Sequence, residues 1–97
     1  MSAFLVVQIR VHDPVWVADY LANVPRILRG FGGEYFAVSG PVAQFEGTVP
    51  PPHQVALFTF PSLQAIEEFM ACDEYRPFKE SRLAGATATI VGFETRS

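Results

Sequence analysis

The segment HQVALFTFPSLQAIEEF, from His53 to Phe69, predicts a buried β-strand that leads directly into an amphipathic helix. Residues 55–60 form a short run of mainly apolar side chains that stops at a proline, which is typical of a strand. Ser62 is a favourable N-cap residue for a helix that begins after it. The apolar residues of that helix recur at helical spacing and share one face, namely Leu63, Ile66, Phe69 and Met70.

A second unit of the same kind opens the chain. Residues 3–11 predict the first strand, and Asp13-Pro14 predicts the start of a helix from Asp13 to about Phe31, since Asp suits the N-cap and Pro the first helical position. Pro25 falls inside this helix and predicts a kink or a break. Glycines 30, 32 and 33 end the helix, one of them with a left-handed backbone. The buried stripe of this helix consists of Trp16, Tyr20, Val24, Ile27 and Phe31.

The other elements complete the pattern β-α-β-β-α-β. We predict a second strand over residues 34–39, a turn at Gly40-Pro41 and a short returning strand over residues 42–46. A proline-rich loop precedes the central strand, and Asp73 is expected to cap a short helix that Gly85 closes. Residues 86–94 predict the last strand. This order gives an α+β, ferredoxin-like sandwich with an antiparallel sheet, as one domain over residues 1–97.

The composition indicates a second buried surface. The chain is 49% hydrophobic and only 18% charged, with nine Phe and one Trp among its 97 residues. The first strand is apolar on both faces for most of its length, whereas helices of this fold cover one face of the sheet. We therefore expect a homodimer in which two sheets pair face to face as a dimeric α+β barrel.

The charge pattern and the single cysteine argue against several classes of protein. The net charge is −3 and the seven Lys and Arg residues are scattered, so nucleic acid is not expected as a partner. Cys72 alone allows no intrachain disulfide. No apolar stretch approaches the ~20 residues that span a membrane, and the N-terminus does not have the form of a signal peptide. We expect a cytoplasmic protein without membrane association.

Several short motifs together resemble a known family. They are Asp13-Pro14, Tyr20 with Val24-Pro25, Gly32-Gly33, Glu46-Gly47, Phe60-Pro61-Ser62, Ala65 with Phe69, Tyr75 and Arg82. Over nearly its whole length the chain resembles the domain-of-unknown-function family numbered thirteen-thirty, within the dimeric α+β barrel superfamily. The resemblance implies the dimeric ferredoxin-like fold and no particular reaction. The wider superfamily is similar in fold to cofactor-free quinone-forming monooxygenases, muconolactone isomerase and haem-binding proteins.

Arg82, Tyr20 and His53 are the candidate catalytic residues. Arg82 flanks an apolar helical stripe, where it either clamps a carboxylate or enolate or pairs with a nearby Glu as a structural element. Tyr20, like Tyr75 and Trp16, is either a ligand-orienting side chain or part of the core. His53 is either a base near the pocket or an exposed loop residue, and the same alternatives apply to His12.

Cofactor and metal motifs are absent from the sequence. Two isolated histidines without matching Cys or carboxylate spacing do not predict a metal site, and no residue is singled out as a haem ligand. The glycines at 30–33 follow a helix instead of opening one, so they do not form a dinucleotide-binding loop. We therefore expect no cofactor and no metal.

Two classes of function follow. The first is a cofactor-free enzyme of the isomerase or monooxygenase type, acting on a small carboxylate-bearing or aromatic metabolite that Arg82 holds while Tyr20 or His53 transfers a proton. The second is a non-catalytic, small-molecule-binding or stress-related dimeric protein. An enzyme requires a solvent-connected cavity into which Arg82 points, whereas a surface ion pair of Arg82 would favour the second class.

Overall fold

A computed structural model describes residues 2–96 of the chain. Its regular elements follow the predicted order and are β1 (Ala3–Val11), a 3-10 turn (Pro14–Trp16), α1 (Val17–Arg29), β2 (Glu34–Val38), β3 (Gln54–Phe60), α2 (Leu63–Ala71), α3 (Arg76–Gly85) and β4 (Ala86–Glu94).

The four strands form one antiparallel sheet in the order β2-β3-β1-β4. β1 lies in the centre, where Leu5 is paired with Phe58 on one side and with Gly92 on the other. This order, with a helical crossover after β1 and another after β3, is that of the ferredoxin-like fold. The predicted α+β fold class is confirmed.

Two predicted N-caps are present. The Asp13 carboxylate accepts a hydrogen bond from the Val15 amide at 3.1 Å, with Pro14 at the start of the turn. The Ser62 hydroxyl accepts a hydrogen bond from the Ala65 amide at 3.1 Å. Each side chain satisfies a backbone donor that the first turn leaves without an intrahelical partner.

A break of the first helix at Pro25 does not occur. α1 continues to Arg29, because flanking turns packed into the core hold the helix together despite the missing amide donor. The predicted cap of the third helix was wrong, since Asp73 does not cap α3. Its carboxylate instead forms a 2.9 Å ion pair with Arg76, and the residue in the N-cap position is Tyr75.

The helix α1 ends as the glycines predict. Gly32 has a φ of 81°, a left-handed backbone that glycine adopts without strain. A Cβ on Gly32 would lie 2.8 Å from the Pro61 side chain, so the turn also requires a residue without a side chain at this position.

The returning strand predicted over residues 42–46 does not form. Within residues 2–96, the segment between β2 and β3 has no strand, and Gln44 closes a local turn by donating to the Gly47 carbonyl at 2.9 Å. Pro41 and the prolines at 50–52 remove amide donors from both ends of the segment, which leaves it poorly suited to a sheet edge.

β2 is an edge strand and contains an irregularity. Tyr35 is paired with Phe58 and Ala37 with Leu57, so Phe36 is an extra residue that has no partner on β3. After this bulge Val38 is paired with Ala56. Both Tyr35 and Val38 consequently face the same side of the sheet.

The core lies between the helices and one face of the sheet. Tyr75 is 1% exposed there and stacks on Phe69 with ring centroids 4.5 Å apart. The other buried core residues are Ala3, Leu5, Val24, Ile27, Leu28, Phe60, Ala65 and Ile66.

The opposite face of the sheet carries an aromatic cluster, and no helix formed by residues 2–96 lies against it. The Phe4 ring packs against Phe36 and Phe93, with ring centroids 5.4 Å and 5.6 Å away. Phe36 is 63% exposed and Phe93 is 49% exposed in the single chain. We call this surface the open sheet face.

Candidate functional site

A cavity of about 150 Å³ lies between the covered face of the sheet and helices α1 and α3. Its walls are mainly apolar and include Leu5 and Val7 of β1, Phe58 of β3 and Val24 of α1. The polar side chains among its lining residues are Trp16, Tyr20, Tyr35, Gln54, Tyr75 and Arg82. Within the described part of the chain, none of the lining residues is an Asp, Glu or His.

Arg82 is a buried cation on this cavity. It lies on α3, is 3% exposed, and its Nε–H has no hydrogen-bond partner within the described residues. Among residues 2–96 the ion pairs are Arg26 with Glu74 and Arg76 with Asp73, and no carboxylate lies within 4.0 Å of Arg82. The surface ion pair that would have explained Arg82 structurally is therefore not formed. A buried charge of this kind is costly unless an anion accompanies it.

Two phenols form a pair on the same cavity. The Tyr20 and Tyr75 hydroxyls are 2.7 Å apart, so one donates to the other and one O–H hydrogen of the pair remains available. Burial raises the pKa of Tyr20 well above its ordinary value of about 10, the neighbouring Tyr75 adds to the shift, and the Arg82 guanidinium opposes it. Tyr20 therefore stays protonated near neutral pH and acts as a hydrogen-bond donor, not as a base.

His53 is not brought together with Tyr20 and Arg82. It is exposed and does not line the cavity. Its Nδ1 accepts a hydrogen bond from the Val11 amide at 3.1 Å, and its own amide donates to the Ile9 carbonyl at 2.8 Å. These bonds fix the proline-rich loop to the end of β1.

The second histidine is also outside the cavity lining. His12 is exposed, and its Nε2 lies 2.7 Å from the Thr87 hydroxyl. Within the described part of the chain, no three His, Cys, Asp or Glu side chains cluster as metal ligands.

Trp16, which the helical spacing predicts on the buried stripe, lies in the cavity wall. Its indole Nε1–H is buried and, like Arg82 Nε, has no hydrogen-bond partner within residues 2–96. The indicator in the sequence was Gly85, one helical turn after Arg82, where a Cβ would lie 2.4 Å from the Trp16 ring. Such a glycine marks a close approach between elements, but the sequence alone does not say to which side chain.

The fold and the cavity define a ferredoxin-like α+β protein with a buried arginine facing an apolar site. The chain belongs to the family described as domain of unknown function DUF1330, whose model matches residues 2–95. No curated protein matches the chain significantly. The predicted family membership is confirmed.

Solved structures are similar in fold. A protein of unknown function, RPA0582 from Rhodopseudomonas palustris, superposes with a TM-score of 0.83 at 14% identity, over 99% of this chain and 83% of that one. SnoaB from Streptomyces nogalater, a cofactor-independent oxygenase, gives a TM-score of 0.69 at 14% identity, over 99% and 94% of the two chains. A dimeric ferredoxin-like protein of unknown function from Jannaschia sp. CCS1 gives 0.62 at 15% identity, over 98% and 100%.

These similarities establish the fold and leave the specific function open, since all three identities are low. Among residues 2–96, no helix has the length and apolar character needed to cross a membrane.

Proposed function

We propose that this protein binds a small organic anion in the cavity and acts on it without a cofactor. The observation that carries the proposal is Arg82, a buried cation on the cavity that has no carboxylate within 4.0 Å among the described residues. A bound carboxylate or enolate would supply the missing countercharge. The Tyr20–Tyr75 pair would donate one further hydrogen bond to it.

The size and lining of the cavity favour an aromatic ligand. Its volume of about 150 Å³ is similar to that of an engineered apolar cavity, in another protein, that holds benzene. Apolar side chains such as Val24, Leu5 and Phe58 would contact the ring, while Arg82 would hold the acidic group. The substrate class is thus a small aromatic or lactone-like carboxylate.

The chemistry proposed is stabilisation of an enolate. In an isomerase, a proton leaves the carbon beside a carbonyl and is returned at another carbon, and Arg82 with a phenol O–H would stabilise the negative oxygen formed between the two steps. In a monooxygenase, the same enolate would react with O₂, converting a CH₂ group into a carbonyl with release of water. SnoaB, which has a similar fold, is described as a cofactor-independent oxygenase, and this supports the second version.

A second candidate is non-catalytic binding of the same anion. It is favoured by the absence of a carboxylate or histidine base from the described cavity lining, together with the raised pKa of Tyr20. Because its pKa is raised, Tyr20 is not suited to accept a proton from the substrate near neutral pH. Under the enzyme hypothesis the base would be the substrate's own basic group or water.

A ligand screen tests the proposal. Melting temperatures would be measured with small carboxylates, lactones and hydroxylated aromatics for the parent, Arg82→Ala and Arg76→Ala. Arg76 lies on the same helix but forms an exposed ion pair, so it is the matched control. We expect some carboxylates to raise the melting temperature of the parent and of Arg76→Ala but not of Arg82→Ala. Equal shifts in all three proteins, or none in any, would contradict binding at Arg82.

Turnover then separates the two candidates. Stabilising compounds would be incubated with the protein while product formation and O₂ consumption are recorded. Conversion that depends on Arg82 supports the enzyme, and binding without conversion in air supports the non-catalytic protein.

We further propose that two copies pair through the open sheet face. The exposed aromatic cluster of Phe4, Phe36 and Phe93 supports this, as does the dimeric Jannaschia protein of similar fold. Light scattering at micromolar concentration should report twice the chain mass for the parent and a single-chain mass for Phe93→Lys. The matched control is Phe45→Lys, because Phe45 is 92% exposed and lies in the loop outside the sheet. A parent of single-chain mass would refute the homodimer.

A further inference from the structure

The exposed part of the cavity lining is mainly apolar. Four of the described lining residues are exposed, and we call them the cavity rim; they are Leu21 of α1, Tyr35 and Val38 of β2, and Gln54 of β3. Leu21 is 56% exposed and Val38 is 50% exposed. Apolar side chains that contact water beside a cavity gain free energy when an apolar group covers them.

The charged end of the cavity lies towards the other edge of the sheet. Arg82 is on α3, which leads directly into β4 at Ala86. The strand order places β4 and β2 at opposite edges, three strand spacings or roughly 14 Å apart. Ile90 of β4 and Val38 of β2 both line the cavity, so it extends across the whole sheet. A ligand of one ring held at Arg82 therefore does not cover the cavity rim as well.

The polarity of this cavity is the reverse of the usual arrangement. Charged side chains of folded proteins generally lie at the surface, and large apolar ones are more often inside. Here the cation of Arg82 is almost fully buried, whereas Leu21 and Val38 contact water. A ligand that complements both ends has its acidic group deep in the cavity and an apolar group at the rim.

We infer that the cavity rim binds an apolar tail, so that the ligand is an aromatic carboxylate with a hydrocarbon chain opposite its acidic group. The inference rests on the proposed function and specifies the substrate class of that site. The carboxylate would meet Arg82, the ring would fill the cavity, and the chain would cover Leu21 and Val38.

The tail of a ligand fits the rim better than a second copy of the chain does. Tyr35 and Val38 face the cavity side of the sheet, and Leu21 belongs to a helix on that side. The aromatic cluster proposed as the contact between copies, which includes Phe4 and Phe93, lies on the open sheet face. The rim is therefore continuous with the cavity and separate from that contact.

The test measures binding of a series of para-alkylbenzoates by titration calorimetry. Benzoate and its methyl, ethyl, propyl and butyl derivatives would be titrated into the parent, Leu21→Gln, Val38→Thr and Leu83→Gln. Leu83 is the matched control, because it is 59% exposed on another helix, α3, and is not among the described residues that line the cavity.

We expect the affinity of the parent to rise with each added CH₂ group, by up to about fourfold where the group is fully buried. This gain should fall to about twofold or less in Leu21→Gln and in Val38→Thr, because a polar side chain covers the tail less favourably. Benzoate itself should bind both rim variants as it binds the parent. Leu83→Gln should match the parent for every compound.

A second measurement needs no variant. Nuclear Overhauser effects would be recorded between para-propylbenzoate and the methyl groups of the bound protein. We expect the terminal methyl of the propyl chain to show contacts with the methyl groups of Leu21 and Val38. Contacts of that methyl with core residues alone would place the chain inside the cavity and overturn the inference.

The outcomes separate the inference from the function on which it rests. If benzoate binds at Arg82 but longer chains add no affinity, or add the same affinity in the parent and in both rim variants, the inference is overturned and the proposed site stands. If no compound of the series binds the parent, both fall. If Leu21→Gln has a lower mass than the parent in light scattering, the rim is a contact between copies and the inference is also overturned.

Discussion

Replacing Arg82 by methionine should stabilise the ligand-free protein while abolishing anion binding. Met preserves most of the length and apolar bulk of the Arg stem, so the packing around α3 is retained. It removes the guanidinium of a residue that is only 3% exposed, and the Nε of that guanidinium has no hydrogen-bond partner within residues 2–96. It also removes the favourable interaction of that charge with Tyr20.

The magnitude follows from these opposing effects. An unsatisfied buried donor costs ~1–3 kcal/mol, and replacing buried charges by apolar residues of similar volume stabilises proteins by roughly 1–4 kcal/mol in known cases. Loss of the interaction with the neutral Tyr20 phenol reduces this gain in stability by about 1 kcal/mol. We therefore expect the free energy of unfolding to rise by about 1–2 kcal/mol, which corresponds to an increase of roughly 5–15 °C in Tm for a domain of this size.

The assay is urea denaturation followed by circular dichroism at one fixed chain concentration, without ligand. Arg76→Met is the control, since Arg76 forms an exposed ion pair with Asp73 and should change stability by no more than ~0.5 kcal/mol. A loss of 2 kcal/mol or more in Arg82→Met, with Arg76→Met near the parent, would refute our reasoning. Arg82 would then be a structural residue that the protein needs without any ligand.

Three further predictions concern local structure and pH. Gly32→Ala should lower the free energy of unfolding by about 1–2 kcal/mol, since φ is 81° at Gly32 and the new Cβ would meet Pro61. Gly40→Ala is the control, because the space at its Cβ position is open, and its denaturation midpoint should stay near that of the parent. Ser62→Ala should lose about 1 kcal/mol through its N-cap, and an unchanged midpoint would contradict that role. Because the pKa of Tyr20 is raised in the folded state, the phenol loses its proton at a lower pH in the unfolded chain than in the folded protein. The free energy of unfolding should therefore fall as pH rises above about 10, by up to ~1.4 kcal/mol per pH unit. Denaturation midpoints from pH 9 to 11 should fall less steeply for Tyr20→Phe, and parallel slopes would refute the shift.

The fold was largely predictable because its signals are local. The segment that begins at His53 contains a strand, a proline that ends the strand and an N-cap within a few residues, and the structure reproduces each of them. The left-handed glycine after α1 was predictable for the same reason. The returning strand over residues 42–46 was wrong, because pairing depends on a partner strand and the sequence pattern shows only one half of the pair.

The candidate site was predictable in part. Arg82 was identified from its place beside an apolar stripe, and the structure puts it on the cavity. His53 was chosen for its chemistry alone, and nothing local revealed that its ring nitrogen is occupied by the Val11 amide 42 positions away. Trp16 was treated as a core residue, since whether an indole N–H has a partner depends on tertiary packing that no spacing rule encodes.

The extra residue at Phe36 has an evolutionary consequence. The inserted residue in β2 reverses which side of the sheet the following side chains face, so that Val38 lies in the cavity wall together with Tyr35. β2 is an edge strand that pairs with β3 alone, so the pairing of β1 with its two neighbours does not depend on it. Insertion or deletion of a single codon at this position is therefore a short mutational route by which relatives can acquire a differently shaped cavity and keep the same fold.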